Sequence, residues 1–242
     1  MWQVVRVLFC PLQRAWALLA IQSKESVPRP TDEPQSHAPG PDQDRVLLIG
    51  SGAATGWGVR THDLALPGAL ARALPPQTGR GADVQASANP VGSITDGLRE
   101  LGDIDLSDYH AVVVVMGVND AIGLLSPKTW QVELARILSH IAEHADGYAR
   151  VYLLGIQPIR TIPAFDNVVF GTIANWHATT LNRVSARHCA ATPSATFVPM
   201  TGRAFVVGGR YSTSTDYQKW GEFLATEMAA GLTETSLNRR RA

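Results

Sequence analysis

The chain has 242 residues, of which 45% are hydrophobic and 17% are charged, enough for one domain with a sizeable core. Its 21 basic residues balance its 21 acidic residues, so nothing in the composition suggests the broad positive surface typical of a nucleic-acid-binding protein. Cys10 and Cys189 are too few for a disulfide framework and lack the spacing of metal ligands.

An apolar, amphipathic segment is predicted at residues 1–22. Arg6 and Arg14 interrupt its apolar stretch at 2–21, so the uncharged run is too short to span a bilayer. A secretory signal peptide is a poor fit, because no small-x-small cleavage site follows. Two interpretations stay open: an interfacial helix that contacts a membrane peripherally, or a helix packed on the domain's own surface. We therefore expect a cytoplasmic or peripherally membrane-associated protein rather than a secreted one.

The next segment, residues 23–44, contains five prolines and is predicted to be a linker without regular structure. A single domain is predicted at residues 45–232, where the sequence pattern changes abruptly. Residues 233–242 form a basic C-terminal tail, which we interpret as solvated.

Within the domain, short apolar runs alternate with helical patterns. Strands are predicted at 46–50, 83–86, 111–116, 151–156 and 196–200. Helices are predicted at 61–74, 95–101, 127–145, 167–190 and 216–231, and in the fourth of these Ile173, Trp176, Thr180, Leu181 and Val184 recur at helical spacing. The third run, AVVVVM, is uninterrupted and β-branched, as in a strand buried on both faces. This alternation predicts a three-layer α/β/α sandwich around a five-stranded, mostly parallel, doubly wound sheet.

Ligands bind such sheets at the carboxyl ends of the strands, so the residues just after each run are the candidate site. The first strand leads into GSGAATGWGV at residues 50–59. This block resembles the opening block of the SGNH (GDSL-type) hydrolases, in which Gly-Asp-Ser follows a strand. On this resemblance Ser51 stands where the family has aspartate, and Gly52 stands where it has the nucleophilic serine.

Two further blocks carry the resemblance to the same family. NPVGS at residues 89–93 resembles its second block, and Gly117-Val118-Asn119-Asp120 after the third strand resembles its Gly-x-Asn-Asp turn. The resemblance implies an oxyanion hole made of the backbone N–H groups of Gly52 and Gly92 and the side-chain amide of Asn119. Each such donor contributes roughly 3 kcal/mol in related acyl-transfer sites.

The C-terminal part of the chain also resembles the bacterial esterase branch of this family. GIQPIRTIP at residues 155–163 resembles one of its strand ends, and Tyr217 and Trp220 resemble the segment after its catalytic histidine. Counting back from Tyr217 places Tyr211 at the histidine position and Gly208 at the aspartate position. The resemblance covers residues 46–231 and implies the flavodoxin-like sheet of the SGNH hydrolases.

Ester hydrolysis by a serine requires a nucleophile, a base and a group that orients the base, and this sequence lacks all three at the family positions. We therefore expect a pseudoenzyme that binds a small acyl or anionic ligand at the implied oxyanion hole. Two alternatives stay open: a weak or altered serine esterase acting on carboxylic esters through Ser51, and a structural or partner-binding module with Tyr211 folded into a collapsed pocket.

No cofactor or metal is predicted. The glycine-rich residues 50–56, GSGAATG, do not match the nucleotide-binding pattern G-x-G-x-x-G. The chain also has no Walker pattern. His140 and His144 lie one helical turn apart, but no third metal ligand accompanies them. The expected partner is thus a small ligand and not a nucleic acid.

Overall fold

The computed structural model describes residues 11–13, 15–16, 27–102, 104–145, 149–200 and 212–240. These residues form a three-layer α/β/α sandwich. The strands are β1 Gln35–Ala38, β2 Asp44–Gly50, β3 Ala82–Ala88, β4 Ala111–Val115, β5 Arg150–Leu154 and β6 Ala195–Val198. The helices are α1 Leu66–Thr78, α2 Gly97–Leu101, α3 Val118–Ile122, α4 Pro127–His144, α5 Phe170–Ala190 and α6 Ser214–Arg239.

The sheet has the strand order β1-β3-β2-β4-β5-β6, and every neighbouring pair except β1 and β3 is parallel. The five parallel strands therefore follow the doubly wound, flavodoxin-like order, in which the chain reverses its winding direction at β2. This confirms the predicted fold class and places the carboxyl ends of β2, β3 and β4 side by side.

Alternate residues of each central strand enter two separate cores. Val46 and Leu48 pack with α1 and α6 on one face of the sheet, whereas Leu47 and Ile49 pack with α4 and α5 on the other. Along the neighbouring strand, residues 111–114 are fully buried, as the uninterrupted β-branched run predicted. Burial on both faces explains why these strands have no polar side.

The strand count differs from the prediction. The sheet has six strands rather than five, and the additional strand, β1, falls within the stretch predicted as an irregular linker. It joins the edge of the sheet by antiparallel pairing with β3, and His37 Nδ1 lies 2.6 Å from Oδ1 of its cross-strand partner Asp83. The four residues QSHA carry no alternation of apolar and polar side chains, because an exposed edge strand depends on backbone pairing more than on burial.

Two of the three long helices, α4 and α6, begin with side-chain caps. Ser126 Oγ accepts the N–H of Thr129 at the start of α4, and Pro127 follows as the first helical residue. Thr213 and Asp216 form a reciprocal capping box at the start of α6. No helix within the described ranges is long and apolar enough to cross a bilayer.

A substitution at Gly50, the last residue of β2, would show how closely the ends of β2 and β4 approach each other. Its φ is +130°, and an added Cβ would lie 2.2 Å from the carbonyl oxygen of Val115. At Gly79, φ is +71° and an added Cβ would meet no atom within 4 Å, so an alanine there carries backbone strain alone. We expect Gly79→Ala to lower the free energy of unfolding by about 1 kcal/mol and Gly50→Ala by about 3 kcal/mol or more. Equal losses in urea denaturation would contradict this account of the strand junction.

Candidate functional site

A cavity of about 430 Å³ opens at the carboxyl ends of the parallel strands. It is lined by residues that follow β2, β3, β4 and β5, which is where a doubly wound sheet places its ligands. Its volume falls in the range of small-molecule sites. The candidate site predicted from the sequence therefore coincides with a cavity.

Two backbone hydrogen bonds hold the strand ends together beneath this cavity. The N–H of Ser51 donates to the carbonyl oxygen of Val115 at 2.8 Å, and the N–H of Asn89 donates to the carbonyl oxygen of Gly50 at 2.8 Å. The loops after β2, β3 and β4 consequently start from one point. Side chains from all three loops can therefore meet in the same cavity.

Gly52 lines the cavity at the position where the resembled family has its nucleophile. Its φ is +59°, and an added Cβ would meet no atom within 4 Å. The space for a side chain therefore exists, but the residue supplies no hydroxyl. Its N–H makes no hydrogen bond to any residue in the described part of the chain.

Ser51 also lines the cavity and is 3% exposed. Its side chain caps no helix, and its hydroxyl makes no hydrogen bond with a described residue. Ser51 is thus a polar group that a ligand in the cavity could satisfy.

The other two expected oxyanion-hole donors are committed within the protein. Gly92 donates its N–H to the carbonyl oxygen of Asn89 at 2.9 Å. The Asn119 Nδ2 donates to the carbonyl oxygens of Gly92 at 2.8 Å and Pro90 at 3.3 Å. Asn119 thereby ties the loop after β4 to the loop after β3. An oxyanion-hole role for Gly92 and Asn119 stays a prediction.

Asp120 stabilises the same loop from below. It is 2% exposed, and both of its carboxylate oxygens accept the N–H of Ile94, at 3.2 and 3.1 Å. Burial raises the pKa of this carboxyl group to about 7, although the hydrogen bond from Ile94 opposes the shift. Asp120 is absent from the cavity lining, so its role is to position the loops.

The cavity wall is largely apolar. Its large side chains include Met116, Ile156, Ile162, Phe165 and Trp220. Among the residues described there, the only ionisable side chain is Tyr217. Its hydroxyl donates to the carbonyl oxygen of Trp57 at 2.9 Å, and burial raises its pKa above the usual value. Tyr217 is therefore unsuited to act as a base at neutral pH.

The polar residues of α5 hold the outer wall in place. Asn182 makes two hydrogen bonds to the backbone of Ile156: its Oδ1 accepts the N–H at 2.8 Å, and its Nδ2 donates to the carbonyl oxygen at 2.9 Å. One turn earlier, His177 Nε2 lies 2.6 Å from the carbonyl oxygen of Leu125. Asn182 was not predicted as a site residue. The sequence marks it only as a polar residue next to Leu181, which is buried.

The remaining histidines do not reach the cavity lining described above. His62 Nδ1 lies 2.9 Å from Asp32 Oδ1, outside the cavity, and His140 stacks on His144 with ring centroids 4.1 Å apart. Within the described ranges, no group of three or more His, Cys, Asp or Glu side chains could hold a metal ion.

Gly208 and Tyr211, predicted at the family's aspartate and histidine positions, lie outside the described residues. Met200 and Ser212, the nearest described residues on either side, both line the cavity. The N-terminal segment is described only at residues 11–13 and 15–16, which are helical.

The sequence matches no protein-family model and no curated protein. By structure, the chain is similar to Est24, a carbohydrate acetylesterase from Sinorhizobium meliloti, with a TM-score of 0.60 and 14% identity over 77% of this chain and 98% of that one. It is also similar to the lipase Lip_vut3 from a goat rumen metagenome (TM-score 0.62, 15% identity, 79% and 99% covered). A third similar structure is the aryl esterase of M. smegmatis (TM-score 0.58, 17% identity, 77% and 99% covered). These neighbours are SGNH/GDSL-type enzymes, so the chain has the SGNH hydrolase fold that its motifs predicted.

Asp120 makes the stability of the loops depend on pH. Because its folded-state pKa of about 7 lies above the ordinary aspartate value of 3.8, the folded protein binds an extra proton between these pH values. The free energy of unfolding should therefore fall as the pH rises through this window, by up to roughly 4 kcal/mol. Asp120→Asn removes this contribution, so its stability relative to wild type should increase from pH 4 to pH 7.

A suitable control is Asp63→Asn, which changes an exposed carboxylate paired with Arg72. Urea denaturation of the three proteins at several pH values measures the effect. A constant difference between Asp120→Asn and wild type across the window would refute the raised pKa.

Proposed function

We propose that this protein binds a small acyl ligand in the cavity without cleaving it. The observation that carries the proposal is the lining: apolar walls surround the Ser51 hydroxyl and the Gly52 N–H, and the described lining holds no acid–base pair. Apolar walls favour a hydrocarbon chain. These two donors, neither of which is hydrogen-bonded to a described residue, favour a carbonyl or carboxylate oxygen at its end.

Cleavage would require chemistry that this lining does not offer. An ester carbonyl must be attacked by an activated oxygen, and activation needs a base within hydrogen-bond reach of the hydroxyl. Gly52 has no hydroxyl, and Tyr217 is a neutral hydrogen-bond donor whose pKa is raised. Loss of one triad member already removes most of the rate enhancement of such an enzyme. These features of the described lining favour binding without turnover.

The neighbouring structures support the choice of ligand. Their names describe an acetylesterase, a lipase and an aryl esterase, all of which act on esters. A cavity in the same fold that retains apolar walls favours the acyl part of such a compound. Asn119 contributes by fixing the loops around the cavity rather than through a free amide donor.

A second candidate function is an altered esterase that uses Ser51. The observation in its favour is that the Ser51 hydroxyl lines the cavity with no hydrogen-bond partner among the described residues. Chromogenic acetyl and butyryl esters separate the two functions. Turnover above background that Ser51→Ala abolishes would establish the enzyme, and turnover at background rates supports binding alone.

Calorimetric titration of the purified chain with butyrate, octanoate and methyl octanoate tests the binding function. Wild type should bind, and the longer chain should bind more tightly because it buries more apolar surface. Val118→Trp, at a half-buried residue of the lining, should weaken binding about tenfold or more by filling the cavity. Ser51→Ala should weaken it by about three- to tenfold through loss of one hydrogen bond.

Val132→Trp is the matched control, since Val132 is 48% exposed on α4 and does not line the cavity. It should bind as wild type does. The proposal fails if wild type binds none of the three compounds, or if Val118→Trp binds them with unchanged affinity.

A further inference from the structure

The outward face of α5 carries large apolar side chains in contact with solvent. Trp176 is 66% exposed and Val169 is 57% exposed, although helical spacing in the sequence groups Trp176 with buried Leu181. The N–H of Ile173 donates to the carbonyl oxygen of Val169, so Val169 is already in helical register. Val169, half-buried Ile173 and Trp176 follow one another at i, i+4 and i+7 and therefore share one face.

The same face becomes basic farther along the helix. Arg183 and Arg187 are exposed and lie seven and eleven residues after Trp176, which places them in line with it. Neither arginine forms an ion pair with a residue in the described ranges. From Phe170 to Ala190 the helix contains no aspartate or glutamate. We call Val169, Ile173, Trp176, Arg183 and Arg187 the α5 stripe.

The described part of the N-terminal segment lies beside the start of this stripe. Gln13 is fully buried and its Nε2 donates to the carbonyl oxygen of Phe170 at 3.0 Å. Trp16 stacks on Phe170 with ring centroids 5.6 Å apart and meets Phe165 edge-on at 5.7 Å. Trp16 therefore packs beside the start of the α5 stripe.

We propose that the α5 stripe binds an anionic lipid surface. A helix with exposed tryptophan and aliphatic side chains and with basic residues on the same face suits the boundary between headgroups and acyl chains. The apolar residues enter the interface, and Arg183 and Arg187 contact lipid phosphates. From Val169 to Arg187 the stripe extends roughly 27 Å, so the helix lies in the plane of the membrane surface.

Sedimentation of the full chain with vesicles tests the proposal. We expect co-sedimentation with phosphatidylcholine vesicles that contain about 30% phosphatidylglycerol, and little with phosphatidylcholine alone. Raising the salt to about 0.5 M should release the protein in part, because it screens the arginines. Arg183→Gln with Arg187→Gln should weaken partitioning about 25-fold, at about fivefold per arginine. Trp176→Gln should also weaken it.

The controls change equally exposed side chains elsewhere. Arg72→Gln with Arg99→Gln removes two exposed charges outside the stripe, and Val132→Gln removes an exposed apolar side chain. Both should partition as wild type does, and circular dichroism and thermal unfolding should be unchanged in every variant. Binding to both vesicle types alike, no binding to either, or equal binding by the stripe variants would overturn the proposal. Binding to polyglutamate that the stripe variants lose, without vesicle binding, would assign the stripe to an acidic protein partner instead.

Discussion

The backbone of Gly50 and Ser51 joins the ends of three strands, and the candidate site depends on this junction. Gly50 accepts a hydrogen bond from Asn89, and Ser51 donates one to Val115. No side chain fits at Gly50, because the Val115 carbonyl oxygen occupies the space that a Cβ would need. The loops after β2, β3 and β4 therefore leave the sheet from one place, and Asn119 then links two of them through the carbonyl oxygens of Pro90 and Gly92.

The same junction shapes the cavity through backbone groups rather than through side chains. In this fold the floor of the site is backbone, and its geometry does not require a serine at the position of Gly52. The outer wall is held independently by Asn182, which satisfies both backbone polar groups of Ile156. The groups that shape the pocket therefore differ from Gly52, the residue at the position where the resembled family has its nucleophile.

Much of the fold could be predicted from the sequence because burial imposes a pattern. The β-branched run of β4 and the apolar spacing of the long helices report directly on which surfaces leave water. The edge strand β1 gave no such pattern, since its residues pair through the backbone with a strand far along the chain. Of the predicted site residues that the structure describes, Ser51, Gly52 and Asn119 follow buried strands and line the cavity, whereas Gly92 is absent from its lining. The acceptors of the Asn119 amide could not be predicted, because they belong to a loop 27 to 29 residues away in the sequence.

The central claim is chemical: the cavity offers an acyl group a place to bind but no activated oxygen to attack it. A serine-reactive fluorophosphonate tests this claim most directly, because it forms a covalent adduct only with an activated hydroxyl. Intact-protein mass spectrometry after incubation should show the unmodified mass for wild type and for Ser51→Ala alike. A single adduct on wild type that maps to Ser51 and disappears in Ser51→Ala would contradict the account.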